Sequence, residues 1–383
     1  MRIVFVSEHP NQVSAFSGIP YFMSRAVRNA AETFEYIQVP SYDFEKVRTG
    51  KEAGRTELIK IGNFLSNRLK ESPCNLVVCQ GSSMVPYLET DTRVVLWHDS
   101  LWLSLLQMNF DQFKQQYPLL YEWDQLTLEK CDLVVFAADW VRDQALTHYG
   151  VDAKKVHVIP FGANLDPVSK KTVKTYIDQR DFTRCHLTFL GIDWFRKGLP
   201  LAHQVVTKLN KRGLISQLTV IGCEVPRVSM RRKIKHYIKY QPLEEQEYFQ
   251  LQFHRDPTIR KLGFLSKSDT AHYKLLQDTL QNTHFLLHPA NFECFGIALA
   301  EANAFGIPVF ATNNHGPKTI IRNGFNGYVF DQNEYIEATV EYIQNLMKNV
   351  DDYKSLALNA FLEYQNRFNW PSNFKTLTDL PFV

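Results

Sequence analysis

Phe285-Leu286-Leu287-His288-Pro289-Ala290-Asn291-Phe292-Glu293-Cys294-Phe295-Gly296-Ile297-Ala298-Leu299-Ala300-Glu301-Ala302 joins an apolar strand, a turn and a helix in one short stretch. Phe285–Leu287 is a continuous apolar run of strand type, and the segment after Gly296 is rich in helix formers. Phe295-Gly296-Ile297 is predicted to form the strand-to-helix turn. A glycine there lets the backbone approach a ligand closely, and the first amides of the helix point outward without intrahelical acceptors. Such a helix start attracts anions, a diphosphate among them. Glu301 falls between one and two turns into the helix, within reach of ribose hydroxyls. Glu293, in the loop before it, can accept from hydroxyls of a sugar.

The same strand-and-helix alternation extends in both directions. Apolar runs occur at Ile3–Val6, Tyr36–Val39, Leu76–Cys79, Val94–Trp97, Leu133–Phe136 and Val156–Ile159, and again at Leu187–Leu190, Leu218–Ile221, Phe285–Leu287 and Val309–Ala311. Stretches with apolar spacing of three and four lie between them, as in Tyr21–Ala31 and Trp140–His148. Continuous Val/Ile/Leu runs separated by helices imply parallel strands covered on both faces, and hence doubly wound α/β architecture. The alternation falters between Gly162 and Arg184, which reads as a linker between two Rossmann-like halves. A cleft between the halves is the expected ligand site. Helical patterning from Tyr353 to Asn373 breaks near Trp370-Pro371.

Composition bounds the function. With 383 residues, 45% hydrophobic and 22% charged, the chain is an ordinary globular protein of two-domain length. A net charge of +3 gives no global case for nucleic-acid binding. Bases concentrate at Arg227–Lys239 and Lys46–Lys70; these read first as solvated helix faces, and otherwise as contacts for anionic lipid headgroups or an anionic acceptor. Six cysteines form no C-x-x-C pair and sit mainly in apolar runs, as expected of buried thiols in a reducing compartment. The apolar run at the N-terminus is too short for a signal-peptide core, and no run reaches membrane-spanning length. The expected location is the cytoplasm, with peripheral contact at the cytoplasmic membrane face as an option.

The segment around Glu293 and Glu301 resembles the Glu-x7-Glu motif of the retaining glycosyltransferases of family 4, group 1 of the glycosyltransferases. Phe295-Gly296, Glu301-Ala302, Ala304, Gly306 and Pro308 stand where that family places them, and Asn323-Gly324-x-Asn326-Gly327 is similar to its Asn-Gly-x-Asn-Gly turn. The resemblance implies the GT-B fold. On that basis residues 1–165 form an N-terminal, acceptor-side Rossmann-like domain. Residues 166–360 form the nucleotide-sugar-binding domain, and 361–383 a helix crossing back to the first.

It also implies site roles. Phe189-Leu190-Gly191-Ile192-Asp193-Trp194-Phe195-Arg196-Lys197-Gly198 resembles the family string that neutralises the donor diphosphate. Ile192 stands at the usual Arg position, so that role passes to Arg196 with Lys197. Two bases at a helix start oppose the helix dipole unless an anion is held there. Gly18, before the Tyr21–Ala31 helix, takes the place of the family's glycine-rich turn facing the donor phosphate. His98, at the end of a strand, takes the place of a histidine lining the reaction centre. Gly222 and Phe264 fall in loops that hold the nucleotide base. Phe295, Gly296, Ile297 and Glu301 complete the donor-binding set, and Glu293 positions the transferred sugar. Pro160-Phe161-Gly162-Ala163-Asn164 resembles the family's junction string with Phe161 replacing Asn. Thr283-His284 replaces a common Ala-Asp and receives no role.

The expected activity is therefore retaining transfer of a sugar from a nucleoside-diphosphate donor, a UDP-sugar favoured, to a hydroxyl acceptor on a glycan or glycolipid. Preorganised amides and cations would stabilise the leaving diphosphate. No Asp-x-Asp motif stands at a strand end, so no metal or other cofactor is expected. Alternatives are a GT-B phosphorylase or sugar-phosphate synthase, and a catalytically silent GT-B subunit that binds a partner or a membrane surface. An NAD-dependent enzyme is disfavoured because no Gly-x-Gly-x-x-Gly follows the first strand.

Overall fold

The computed structural model describes residues 1–50, 52–232 and 243–381. Two parallel six-stranded sheets organise the chain. The first contains β1 (Arg2–Ser7), β2 (Thr33–Gln38), β3 (Leu76–Gln80), β4 (Arg93–His98), β5 (Leu133–Phe136) and β6 (Val156–Val158), in the order β2-β1-β3-β4-β5-β6. The second contains β7 (Cys185–Leu190), β8 (Ser216–Ile221), β9 (Ile259–Gly263), β10 (Phe285–His288), β11 (Val309–Thr312) and β12 (Gly327–Phe330), in the order β12-β11-β10-β7-β8-β9. Helices separate the strands except β3 and β4, which are joined by turns, so each sheet is the doubly wound arrangement predicted from the alternating runs.

Most predicted runs became strands because their residues are shielded on both faces, whereas β2 and β6, the edges of the first sheet, are only partly buried. β3, β5, β10 and β11 are buried along their entire length, as expected of parallel strands beneath two helical layers. Two strands had no apolar run to announce them. β9 (Ile-Arg-Lys-Leu-Gly) and β12 (Gly-Tyr-Val-Phe) are the two edges of the second sheet. An edge strand is covered on fewer sides and tolerates Arg260 and Lys261.

The chain divides into two compact units, Met1–Leu165 with Asn366–Val383, and Asp166–Gln365. The stretch 162–184, read as linker, contains a helix over Lys170–Gln179. Ser169 caps it by accepting from the Thr172 amide, and Val173 and Ile177 are its buried residues. Its apolar positions are only four apart amid polar neighbours, too sparse to reveal a helix by pattern alone. At the other end, a long helix closes at Arg367 and a new one opens at Trp370, with Pro371 in its first turn where the missing N–H costs nothing.

In the first unit, Trp370 fills space that a side chain at Gly162 would occupy: a Cβ there would lie 2.4 Å from the indole. Its Nε1 donates to Asn164 Oδ1 at 3.0 Å, and its ring packs against Trp97 and Phe161. Phe161, the departure from the family string, is thus core. The Lys46–Lys70 stretch is helical over most of its length, and Lys46, Arg48, Arg55, Lys60 and Arg68 each pair with a carboxylate, as a solvated face would. In the other basic run, Arg232 pairs with Glu247, and residues from 233 onward lie outside the described residues. All six cysteines are free, four of them buried. Among the described residues no helix is long and apolar enough to cross a membrane.

Candidate active site

Strand order locates the site in the second unit. From β7 the chain moves outward to β8 and β9, then returns to the opposite side of β7 to lay down β10. The segments leaving the carboxyl ends of β7 and β10 therefore diverge, and a crevice at that point is where open α/β sheets bind ligands. Residues 191–198 leave β7, and 289–296 leave β10.

The two segments are locked together by backbone. Gly198 has φ +77°, and a Cβ on it would lie 1.8 Å from the Pro289 carbonyl oxygen. The Asn291 amide donates to Arg196 O at 2.8 Å, and Arg196 Nη1 donates to Phe292 O at 3.0 Å. Asp193 shapes the turn by accepting from the amides of Phe195 and Arg196 at 3.2 and 3.0 Å. The turn delivers Lys197 onto Glu293: its Nζ pairs with Oε2 of the carboxylate. His288, the last residue of β10, sets its Nε2 at 2.9 Å from the same oxygen. Burial alone would push the Glu293 carboxyl up, but the Lys197 ammonium and the His288 hydrogen bond outweigh it and hold the group well below the usual carboxylate range.

The helix Ile297–Asn303 begins directly after this loop, as predicted, with Gly296 in the left-handed conformation at φ +101°. Phe295 is fully buried, so its ring belongs to the core and only its backbone can serve a ligand. Glu301, 2% exposed, is ion-paired with Lys267 from the segment after β9. Lys267 was not among the residues read from the sequence. It stands 34 positions before its partner, and no local pattern marks such a pair.

Gly222 and Phe264 follow β8 and β9. The Gly222 amide donates to Gly263 O at 2.8 Å, and a Cβ on Gly222 would sit 2.7 Å from Gly191 O. The ends of β7, β8 and β9 thus meet through three glycines. Beside them Phe264 is 56% exposed and Ile192 67% exposed. Apolar side chains displayed at the carboxyl edge of a parallel sheet suit the face of a planar base. His284, without a sequence-based role, is structural: its Nδ1 accepts from the His186 amide at 3.1 Å, and burial lowers its pKa to about 3.

Gly18 and His98 belong to the first unit. Gly18 (φ +85°) caps the helix Ile19–Ala30 and completes a left-handed turn with Phe16 and Ser17, both also at positive φ. Asn164 holds the turn by donating to Ser17 O at 2.9 Å. His9 stacks on Phe16 with ring centroids 4.5 Å apart. Burial lowers the His9 pKa, against the opposing pull of Glu8, with His98 adding to the lowering. His98 ends β4 with Nδ1 buried, 3.8 Å from Asp99 Oδ1. The structure thus pairs Lys197 with Glu293 and ties Arg196 to Asp193 and the Phe292 carbonyl, places Glu301, Gly222 and Phe264 on adjoining segments, and leaves Gly18 and His98 in the first unit.

Residues 187–362 match the family described as Glycosyl transferases group 1. A sucrose synthase of Denitrovibrio acetiphilus is 37% identical over 94 residues, 24% of this chain and 12% of that enzyme. A sucrose synthase of Nitrosomonas europaea is 21% identical over 414 residues, 92% of this chain and 48% of that enzyme. The chain therefore spans about half the length, or less, of these relatives. Anabaena Alr3699/HepE in complex with UDP superposes with a TM-score of 0.68 at 15% identity, covering 99% of both chains. The same protein is also solved with UDP-glucose. At such identity the likeness establishes the fold, which is that of GT-B glycosyltransferases.

Proposed function

We propose, from the match of residues 187–362 to the group 1 glycosyl transferases, that this chain moves a sugar from a UDP-sugar to a hydroxyl acceptor on a glycan or glycolipid, with retention of anomeric configuration and without a metal. The observation that carries the reading is the cluster at the β7/β10 switch point, where Lys197 pairs with a buried, ionised Glu293 and Arg196, itself paired with Asp193, donates to the adjoining Phe292 carbonyl. Departure of a nucleoside diphosphate builds negative charge on the leaving group. Fixed cations and the first amides of the Ile297–Asn303 helix can stabilise that charge without a metal ion. Lys197 exchanges Glu293 for the diphosphate, and the carboxylate so exposed receives a hydroxyl of the transferred sugar. Glu301 accepts from the ribose, while Phe264 and Ile192 flank the base. Retention rests on the family resemblance, and the uridine donor on the neighbour solved with UDP and UDP-glucose.

The likeness to sucrose synthases favours a second reading for the acceptor, a small free sugar in place of a glycan. A panel of nucleotide sugars, with nucleotide release and product masses measured in EDTA, tests both. Release of UDP from a UDP-hexose, undiminished by EDTA, is the expected result. Activity abolished by EDTA and restored by manganese overturns metal independence, and a disaccharide product decides for the second acceptor.

A further inference from the structure

We propose that His288 is a positioning residue that holds Glu293 through Oε2, as the neutral tautomer protonated on Nε2, so that Oε1 alone faces the transferred sugar. The inference rests on the donor-sugar role proposed for Glu293. Both side-chain contacts of that carboxylate fall on Oε2: the Lys197 ammonium and His288 Nε2. Oε1 has no protein hydrogen bond among the described residues. The backbone is fixed as well, since the Gly316 amide donates to Glu293 O at 3.0 Å. The carboxylate plane is therefore set by two groups, and one of them is due to leave: a diphosphate draws Lys197 toward itself. Among the described residues His288 then remains as the only side-chain contact on Oε2.

The tautomer follows from the surroundings. An ionised carboxylate only accepts, so Nε2 must carry the proton. Nδ1 is buried and has no partner among the described residues. A proton there would be an orphaned donor on a cation deep in the protein, which costs more than an unpaired lone pair on a neutral ring. Burial lowers the His288 pKa; Glu293 opposes the lowering, and the nearby Lys197 and Arg196 add to it. A bare nitrogen is thus tolerated in return for a rigid donor at the strand end, five residues before the carboxylate it serves.

Two measurements decide the matter. Imidazole 15N shifts of histidine-labelled wild-type protein, assigned by loss of the signal in His288→Gln, should show the neutral Nε2–H form of His288 at pH 7. An imidazolium or an Nδ1–H tautomer overturns the proposal, whatever the donor is. In the second, UDP affinity and turnover of UDP-glucose are compared across three variants. Glutamine places its amide nitrogen near Nε2, asparagine falls short, and leucine has no donor. We expect His288→Leu and His288→Asn to lose about 10- to 100-fold in kcat, the scale of a misplaced reacting group, with UDP affinity unchanged and His288→Gln largely restored. Equal rates in leucine and glutamine variants, or a parallel loss of UDP affinity, overturns it. A wild-type chain that takes no nucleotide sugar sinks the proposed function, and the tautomer still decides the state of His288.

Discussion

Lys197 and Glu301 hold different parts of the proposed donor, so their losses should differ in kind. Lys197→Ala removes charge that counts most in the transition state and should lower kcat by about 100-fold or more. Glu301→Ala removes hydroxyl acceptors felt equally in the ground state and should raise the donor KM by about 10- to 100-fold, the worth of one or two hydrogen bonds to a charged group. Steady-state kinetics with a UDP-sugar separates the two. Near-normal kinetics in both variants would remove these residues from the site. Glu293 makes a pH prediction. Its native pKa is lowered, so its ionised form stabilises the fold above its unfolded value of about 4.3, and that stabilisation is lost as pH falls below it. Melting temperatures of wild type should therefore drop more steeply below about pH 4.3 than those of Glu293→Gln; parallel curves would show that the carboxylate is not held by its neighbours. Glu293 and Glu301, and Arg196 and Lys197, were legible as residues because each pair stands in a local string that resembles a family motif. Lys267 was not, because its significance lies in a carboxylate it meets only after folding.

At the scale of the element, the site depends on how the segments after β7 and β10 interlock. Gly198 is the tightest point, with positive φ and the Pro289 carbonyl where a side chain would begin. Gly198→Ala should cost at least about 2 kcal/mol through backbone strain and clash, and should also depress turnover by separating Lys197 from Glu293. Urea unfolding read beside kcat checks this; a variant with full stability and full activity would show that the two segments are free to part. The elements themselves were mostly visible from the sequence. β1, β3, β5 and β10 announced themselves because residues covered on both faces must all be apolar. β9 and β12 did not, since the sheet edge imposes no such demand. The Lys170–Gln179 helix was hidden for a related reason: it buries only Val173 and Ile177.

For the whole molecule, the path of the chain matters more than any one element. The last residues, from Asn366, belong to the unit built from the first 165. Trp370 joins them to it through Asn164, Trp97 and Phe161. Truncation before Asn366, or Trp370→Ala, should therefore destabilise the first unit by about 3–5 kcal/mol, the usual cost of emptying a large aromatic site. Hydrogen exchange followed by proteolysis should find the loss in β1, β3 and β4 while β7, β10 and β11 keep their protection. Uniform loss across both sheets would contradict the division.

The resemblance to the family strings marked the charged residues of the candidate site, while local composition by itself determined the alternation of strands and helices and the glycine turns that open the helices at Ile19, Leu199 and Ile297. These follow from burial periodicity and backbone freedom, which act over a few residues. Only the tertiary structure decided which segments meet. It set the order β12-β11-β10-β7-β8-β9, which brings residues 191–198 beside 289–296. It also paired Lys267 with Glu301 and turned His288 onto one oxygen of Glu293. Those contacts join positions far apart in the chain or depend on the direction of a side chain, and their energies arise from burial of charge, which exists only once the surrounding core has closed.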